Sequence, residues 1–218
     1  MNFTLNWLDI VTTILGLAYI LFEYRASVWM WVVGFAMQVL GIVLYYQKGL
    51  YADCGMEFYY LAMTVYGFWK WKAHPSPPKG RDVQLPVASS SNQTPSPSEG
   101  LGEASISITH MPRHIALRWS IIMVSLWALI YWLLVTFTNS TVPLADSFTT
   151  ALSMVGIWAL AHKYLEQWFV WIAVDVVTSV LYFHKDIPFK ASLYALYVVI
   201  AILGYFRWRR MMVQHSPI

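Results

Sequence analysis

The chain has 218 residues, 58% of them apolar and only 11% charged, with a formal net charge of +3 and a mean hydropathy of +0.52. Ordinary soluble domains carry roughly 25% charged residues, so the composition excludes a soluble globular domain, predicts an integral protein of the lipid bilayer and offers no basis for a nucleic-acid partner. The single cysteine, Cys54, can form no intramolecular disulfide and brings no metal constellation.

In chain order, seven runs approach the roughly 20 apolar residues a helix needs to cross a bilayer core: 5–23, 28–46, 52–72, 118–138, 146–163, 166–184 and 189–208. The first starts close to Met1 without a basic n-region or a small-residue cleavage site, so it is expected to stay as a helix. Between the third and fourth runs, residues 73–117 contain PSPPKGRD and SSSNQTPSPSEG, too rich in Ser, Pro and Gly to bury a core. They are expected to form a disordered cytoplasmic linker.

Lys and Arg concentrate on the cytoplasmic side of membrane proteins. Seven helices with the N-terminus outside place all but Lys48, Lys185 and Lys190 of the 14 Lys and Arg inside. The short loops and tail, with Arg25, Lys163 and the final RWRR, agree. The expected topology therefore has the N-terminus outside and the C-terminus in the cytoplasm.

Sliding the chain by 137 residues exposes an internal repeat, with eleven identities over the 41 columns from Trp31 to Trp71. Trp31 falls on Trp168, Tyr60 on Tyr197, Gly67 on Gly204 and Trp71 on Trp208, and Lys70 and Lys72 fall on Arg207 and Arg209. Three helices are an odd number, so a fourth is needed to bring the second unit back parallel to the first. The expected fold is all-α, 3+1+3: a first repeat over 1–72, the linker 73–117, a linker helix 118–138 and a second repeat with a basic tail over 139–218. Parallel repeats about an axis along the membrane normal are a transporter architecture, with substrate near the midplane between the units.

The sixth run reads WFVWIAVDVVTSVLY, and in a helix Trp168, Trp171, Asp175, Thr178 and Tyr182 step by three, four, three and four residues onto one face. A charge at mid-depth costs about 2.5–3.5 kcal/mol even on mild insertion scales, so Asp175 reads as functional. The counterpart face of the second run holds Trp31, Gly34, Gln38, Gly41 and Tyr45, with Gln38 in the column of Asp175. A small face opposite an aromatic, acidic one predicts an asymmetric pocket, although Gly34 and Gly41 also suit plain helix packing. In the third run Glu57 faces Tyr60 and Thr64 by helical spacing, towards a central cavity, while Asp53 reads as a partner of the helix dipole. Trp158, Tyr194 and Tyr197 offer further aromatic walls or core. Glu166 reads as a cap of the sixth helix, and Gln167 faces inward with the indoles.

Indole and phenol faces beside a carboxylate attract cations, most strongly where water is excluded, so a flat aromatic cation fits this lining. No ring of charges or carbonyl filter suggests a channel. No paired His, Ser/His/Asp set or glycine-rich phosphate loop supports an enzyme, and no cofactor is implied.

The AD-x-G near the start of the third run, DSFTTALS in the fifth, EQW-x-x-W-x-x-x-D-x-x-x-x-x-LY in the sixth and the closing GY-x-x-W resemble the PnuC family of vitamin transporters over nearly the whole chain except the linker. The resemblance implies a seven-helix relative of the SWEET sugar transporters in the bacterial inner membrane, assembled as a homotrimer. It further implies facilitated diffusion of nicotinamide riboside, trapped by a cytosolic kinase. The family's ring-stacking Trp maps onto Trp171. Its Asn before the first Trp of that motif is Gln167 here, a departure that keeps thiamine as a rival substrate. A non-transporting membrane receptor or scaffold is the alternative from another class, and proton-coupled transport would require Asp175 or Glu57 to titrate.

Overall fold

A computed structural model describes residues 3–47, 51–73, 108–138, 142–184 and 188–214. They form seven helices: α1 (Phe3–Tyr24), α2 (Trp29–Gln47), α3 (Tyr51–Ala73), α4 (Arg113–Phe137), α5 (Pro143–Ala161), α6 (Gln167–His184) and α7 (Pro188–Gln214). Five of these, α2, α4, α5, α6 and α7, are long and apolar enough to cross a membrane. The other two, α1 and α3, match them in length at 22 and 23 residues and pack into the same bundle. In α3 the charges of Glu57, Lys70 and Lys72 lower the mean hydropathy.

Three helices depart most from their expected bounds. The fourth helix starts at Arg113, five residues early, because Pro112 in extended conformation (ψ 140°) sets its N-cap. The fifth opens on Pro143, whose missing N–H costs nothing at a first helical position, and it ends at Ala161, before a left-handed residue. The seventh runs on to Gln214, six residues past its expected end. The expected disordered linker also needs correction at its end. Residues 113–117 are helical, and Thr109 bridges Tyr164, giving its N–H to the Lys163 carbonyl (3.2 Å) and accepting from the Leu165 N–H (3.0 Å). Glu166 accepts from the Met111 N–H at 2.8 Å and pairs with His110 at 2.8 Å, so it fastens the linker's end where a simple helix cap was expected. Residues 74–107 lie outside the described part of the chain.

The ends of α1 and α5 are built alike. The Ala26 N–H donates to the Glu23 carbonyl (2.8 Å) and the Ser27 N–H to the Phe22 carbonyl (2.9 Å). Lys163 donates to Leu160 (2.9 Å) and Tyr164 to Ala159 (3.1 Å). Both are Schellman turns, which satisfy two orphan carbonyls by placing one residue in the left-handed region.

The core beyond these turns is aromatic. Trp31 seats its indole on Gly67 and meets Trp71 edge-on at 5.7 Å; Trp168 does the same on Gly204 and meets Trp208 at 5.6 Å. Trp71 and Trp208 then touch at 6.2 Å. Their N–H groups reach across: Trp71 donates to the Ala161 carbonyl at the end of α5 (3.2 Å), and Trp208 donates to the Glu23 carbonyl at the end of α1 (3.0 Å). Accordingly α1 packs on α7 and α5 on α3, while α2–α3 and α6–α7 pair as neighbours and α4 rests on α5.

Candidate functional site

Above the Trp168–Trp208 contact a cavity of about 500 Å³ opens between α1, α6 and α7, within the roughly 300–1,000 Å³ of small-molecule sites. Its axis follows α6, from Trp168 to Tyr182, a helical rise of about 21 Å at 1.5 Å per residue. The turn into α6 fixes the phase that aims Trp168, Trp171, Asp175 and Tyr182 into one space. Trp171 leans on Gly156 of α5, where a Cβ would come within 3.4 Å of the indole.

Two carboxyls share this space. Asp175 is 6% exposed and Glu23 only 3%, and both line the cavity. Each lies within electrostatic reach of the other and of phenols: Glu23 of Tyr19, Asp175 of Tyr194 and Tyr197. Towards the other end Tyr182 and Tyr194 stack at 5.5 Å, Tyr197 meets Tyr194 edge-on at 5.6 Å, and Lys190 Nζ sits 5.4 Å from the Tyr182 ring centre. Tyr197 approaches α1 at Gly16, where a Cβ would meet its hydroxyl at 2.9 Å.

Of the sequence-predicted residues, Trp168, Trp171, Asp175, Tyr182 and Tyr197 line the cavity; Gln167, Thr178, Gln38, Glu57 and Tyr60 do not. Gln167 is fully buried one layer behind, beside Glu23. Thr178 shares the face of α6 but is absent from the lining. Glu57 packs over Gly41, whose added Cβ would meet its carboxyl carbon at 2.8 Å, and Gly34 receives Tyr19 and Thr64. The two glycines are therefore helix-packing positions, and half-buried Gln38 lies outside the lining of this cavity. Tyr60 lies against Ser153 of α5, next to Tyr59, whose hydroxyl donates to the Met154 carbonyl at 3.0 Å.

Glu23 is the functional candidate that sequence reasoning misses. It stands near the end of α1, two residues before Arg25, outside the helical stripes that the spacing singles out. The one available signal is its i, i+4 spacing from Tyr19, which puts both on one face. Among the described residues no three His, Cys, Asp or Glu are grouped to hold a metal ion. The cavity can hold a flat, positively charged ring by stacking and by charge, and a neutral ring by stacking alone.

Residues 6–210 match the nicotinamide mononucleotide transporter family. The riboflavin/roseoflavin transporter RibM of Streptomyces davaonensis is 22% identical, covering 93% of this chain and 84% of that protein. The nicotinamide riboside transporter PnuC of Escherichia coli is 23% identical, covering 95% and 87%. Among solved structures, the crystal structure of the vitamin B3 transporter PnuC superposes with a TM-score of 0.69 at 20% identity, over 96% of this chain and 83% of that one.

Proposed function

This chain belongs to the nicotinamide mononucleotide transporter (PnuC) family of multi-pass membrane transporters, and on that premise we propose that it carries nicotinamide riboside inward by facilitated diffusion. The observation that carries the choice is the pair of buried carboxyls, Glu23 and Asp175, facing one aromatic-lined cavity. Nicotinamide riboside is a flat aromatic cation, whereas a neutral flavin lacks the charge that two acids attract. Trp171 takes the ring by stacking, and a cytosolic kinase traps the product by adding charge.

Two parallel three-helix units, α1–α3 and α5–α7, with α4 as connector, form the transport body. The 137-residue repeat of the Schellman turns and of the Trp-on-Gly contacts supports this reading. The N-terminus lies outside and the C-terminus inside. The protein works as a homotrimer, for which α4, with no buried residue of its own, leaves apolar surface.

Thiamine, also an aromatic cation, is the second reading, favoured by Gln167 where the family's motif carries Asn. Counterflow in liposomes holding the purified protein tests both: labelled nicotinamide riboside should exchange saturably, with thiamine and riboflavin as competitors. Exclusive competition by riboflavin would overturn the cation assignment. Binding without any flux would instead support a receptor.

A further inference from the structure

The last helix, α7, packs on α6 and on α1 and leaves a third face open. Val199, Ile202, Leu203 and Phe206 are exposed along that face, and Arg209, Arg210 and Val213 continue the same stripe at helical spacing. A groove of about 380 Å³ lies at its end, lined among the described residues by Phe206, Arg209, Arg210 and Val213. Arg207 is turned the other way, with its guanidinium 4.8 Å from the Tyr24 ring centre. Among the described residues no carboxylate pairs with Arg209 or Arg210. The described acids at this end of the bundle are Glu23, which is buried, and Glu166, which holds His110 and Met111. Exposed Arg25, Lys72, Arg113 and Arg118 stand at the same end, so the field there is net positive.

α7 is one of the helices apolar enough to cross a membrane. From Val199 to Arg210 it rises about 16 Å at 1.5 Å per residue, the depth of one leaflet of a hydrocarbon core about 30 Å thick. A hydrocarbon chain alone would cover the stripe and leave the two arginines unanswered, while a soluble anion would answer the arginines and leave the stripe bare. A phospholipid meets both, because guanidinium groups grip phosphate oxygens in a two-pronged fork. A zwitterionic headgroup brings its own ammonium, which offsets that attraction; an anionic one does not. We infer that the end of α7 is a binding site for an anionic phospholipid, with the headgroup phosphate on Arg209 and Arg210 and an acyl chain along Phe206, Leu203 and Val199. The repeat does not duplicate it, since 137 residues earlier the two arginines are Lys72 and Ala73. The site is independent of which solute crosses the aromatic cavity.

Native mass spectrometry of the purified full-length protein in detergent counts the lipids retained per chain during titration with phosphatidylglycerol or with phosphatidylcholine. Phosphatidylglycerol should be held roughly thirty-fold more tightly, the attraction of two guanidiniums to an anionic headgroup. Arg209→Gln combined with Arg210→Gln should bring that ratio within about three-fold, while Lys72→Gln, at the counterpart position on α3, leaves it unchanged. Equal retention of the two lipids, or a preference that survives the double substitution, overturns the site. Full displacement of phosphatidylglycerol by inorganic phosphate also overturns it, in favour of a soluble anion. Dissociation of the oligomer in the double variant with the lipid ratio unchanged overturns it in favour of a second copy of the chain on this face. Should the double variant fail to fold, each single substitution is measured instead, and each is required to cut the ratio about five-fold.

Discussion

Ala26 and Lys163 stand 137 residues apart and hold the same left-handed backbone, with φ of 52° and 59°. Each closes the Schellman turn after the first helix of its half, a position where glycine is the usual occupant because a Cβ is strained there. Ala26 is buried and makes no polar side-chain contact, so Ala26→Gly relieves strain at the cost of a more flexible unfolded chain. The expected net is a gain of up to about 1 kcal/mol, seen as a rise of a few degrees in the melting temperature in detergent. Lys163→Gly should not share the gain, because Lys163 also lays its ammonium 5.3 Å from the Trp71 ring. A loss of stability in Ala26→Gly would show that its methyl group matters more than the turn.

Gly67 and Gly204 are each roofed by an indole, and a Cβ at either would meet the ring at 2.4 Å. Backbone on one side and the Trp71–Trp208 contact on the other leave the indoles little room. Gly67→Ala and Gly204→Ala should therefore each cost about 1–3 kcal/mol, the usual penalty of overpacking. The two losses should agree within about 1 kcal/mol, because the contacts are equivalent. Thermal unfolding of both single variants measures this, and a neutral Gly204→Ala would contradict the close packing described.

The sequence-to-structure relation is uneven for physical reasons. The helices were legible because each is a long apolar run, and five cavity residues because four of them share one face of α6 at steps of three and four. The repeat was legible because tryptophan on glycine is a contact neither partner can leave. Gln38 is not in the lining beside Asp175, because a shared alignment column does not guarantee a shared environment: glycines let α2 close on α1 and α3, while the bulky face of α6 lines the cavity. Glu23 was hidden because its burial comes from elements distant in sequence, with Trp208 on its carbonyl and Gln167 beside its carboxyl. The docking of residues 108–112 depends on the carboxylate of Glu166 meeting a backbone N–H, which no periodicity encodes.

His162, in the turn between α5 and α6, has its pKa held below the ordinary 6.5 by burial first and by the Lys70 ammonium second, against a hydrogen bond with the Trp158 carbonyl at 2.9 Å that opposes the shift. A depressed histidine pKa means that the unfolded chain binds the proton more readily, so stability should fall as pH drops through 6.5. His162→Gln should flatten that part of the stability profile. His110, which pairs with Glu166 at 2.8 Å, is the other histidine packed beside this turn, so His110→Gln is the control. The melting temperature from pH 7.5 to pH 5.5 decides the matter: an unchanged acid slope in His162→Gln would assign it elsewhere.

Trp171 is the cavity residue whose loss should be felt most in transport and least in folding. It stands on α6 between Trp168 and Asp175, partly open to the cavity; it packs on the edge of the buried core but takes no part in the Trp31–Trp71–Trp208–Trp168 ring contacts. Trp171→Phe retains a ring but weakens attraction to a cation, so half-saturation should rise roughly two- to thirty-fold, the equivalent of about 0.5–2 kcal/mol of cation–π energy. Trp171→Ala should abolish saturable uptake while the protein keeps its oligomeric state and most of its thermal stability. Initial uptake rates against concentration in proteoliposomes, normalised to inserted protein, provide the measure. If Trp171→Phe changed riboflavin and nicotinamide riboside competition equally, stacking alone would account for the residue. A larger loss for the cation is what cation–π attraction at Trp171 requires.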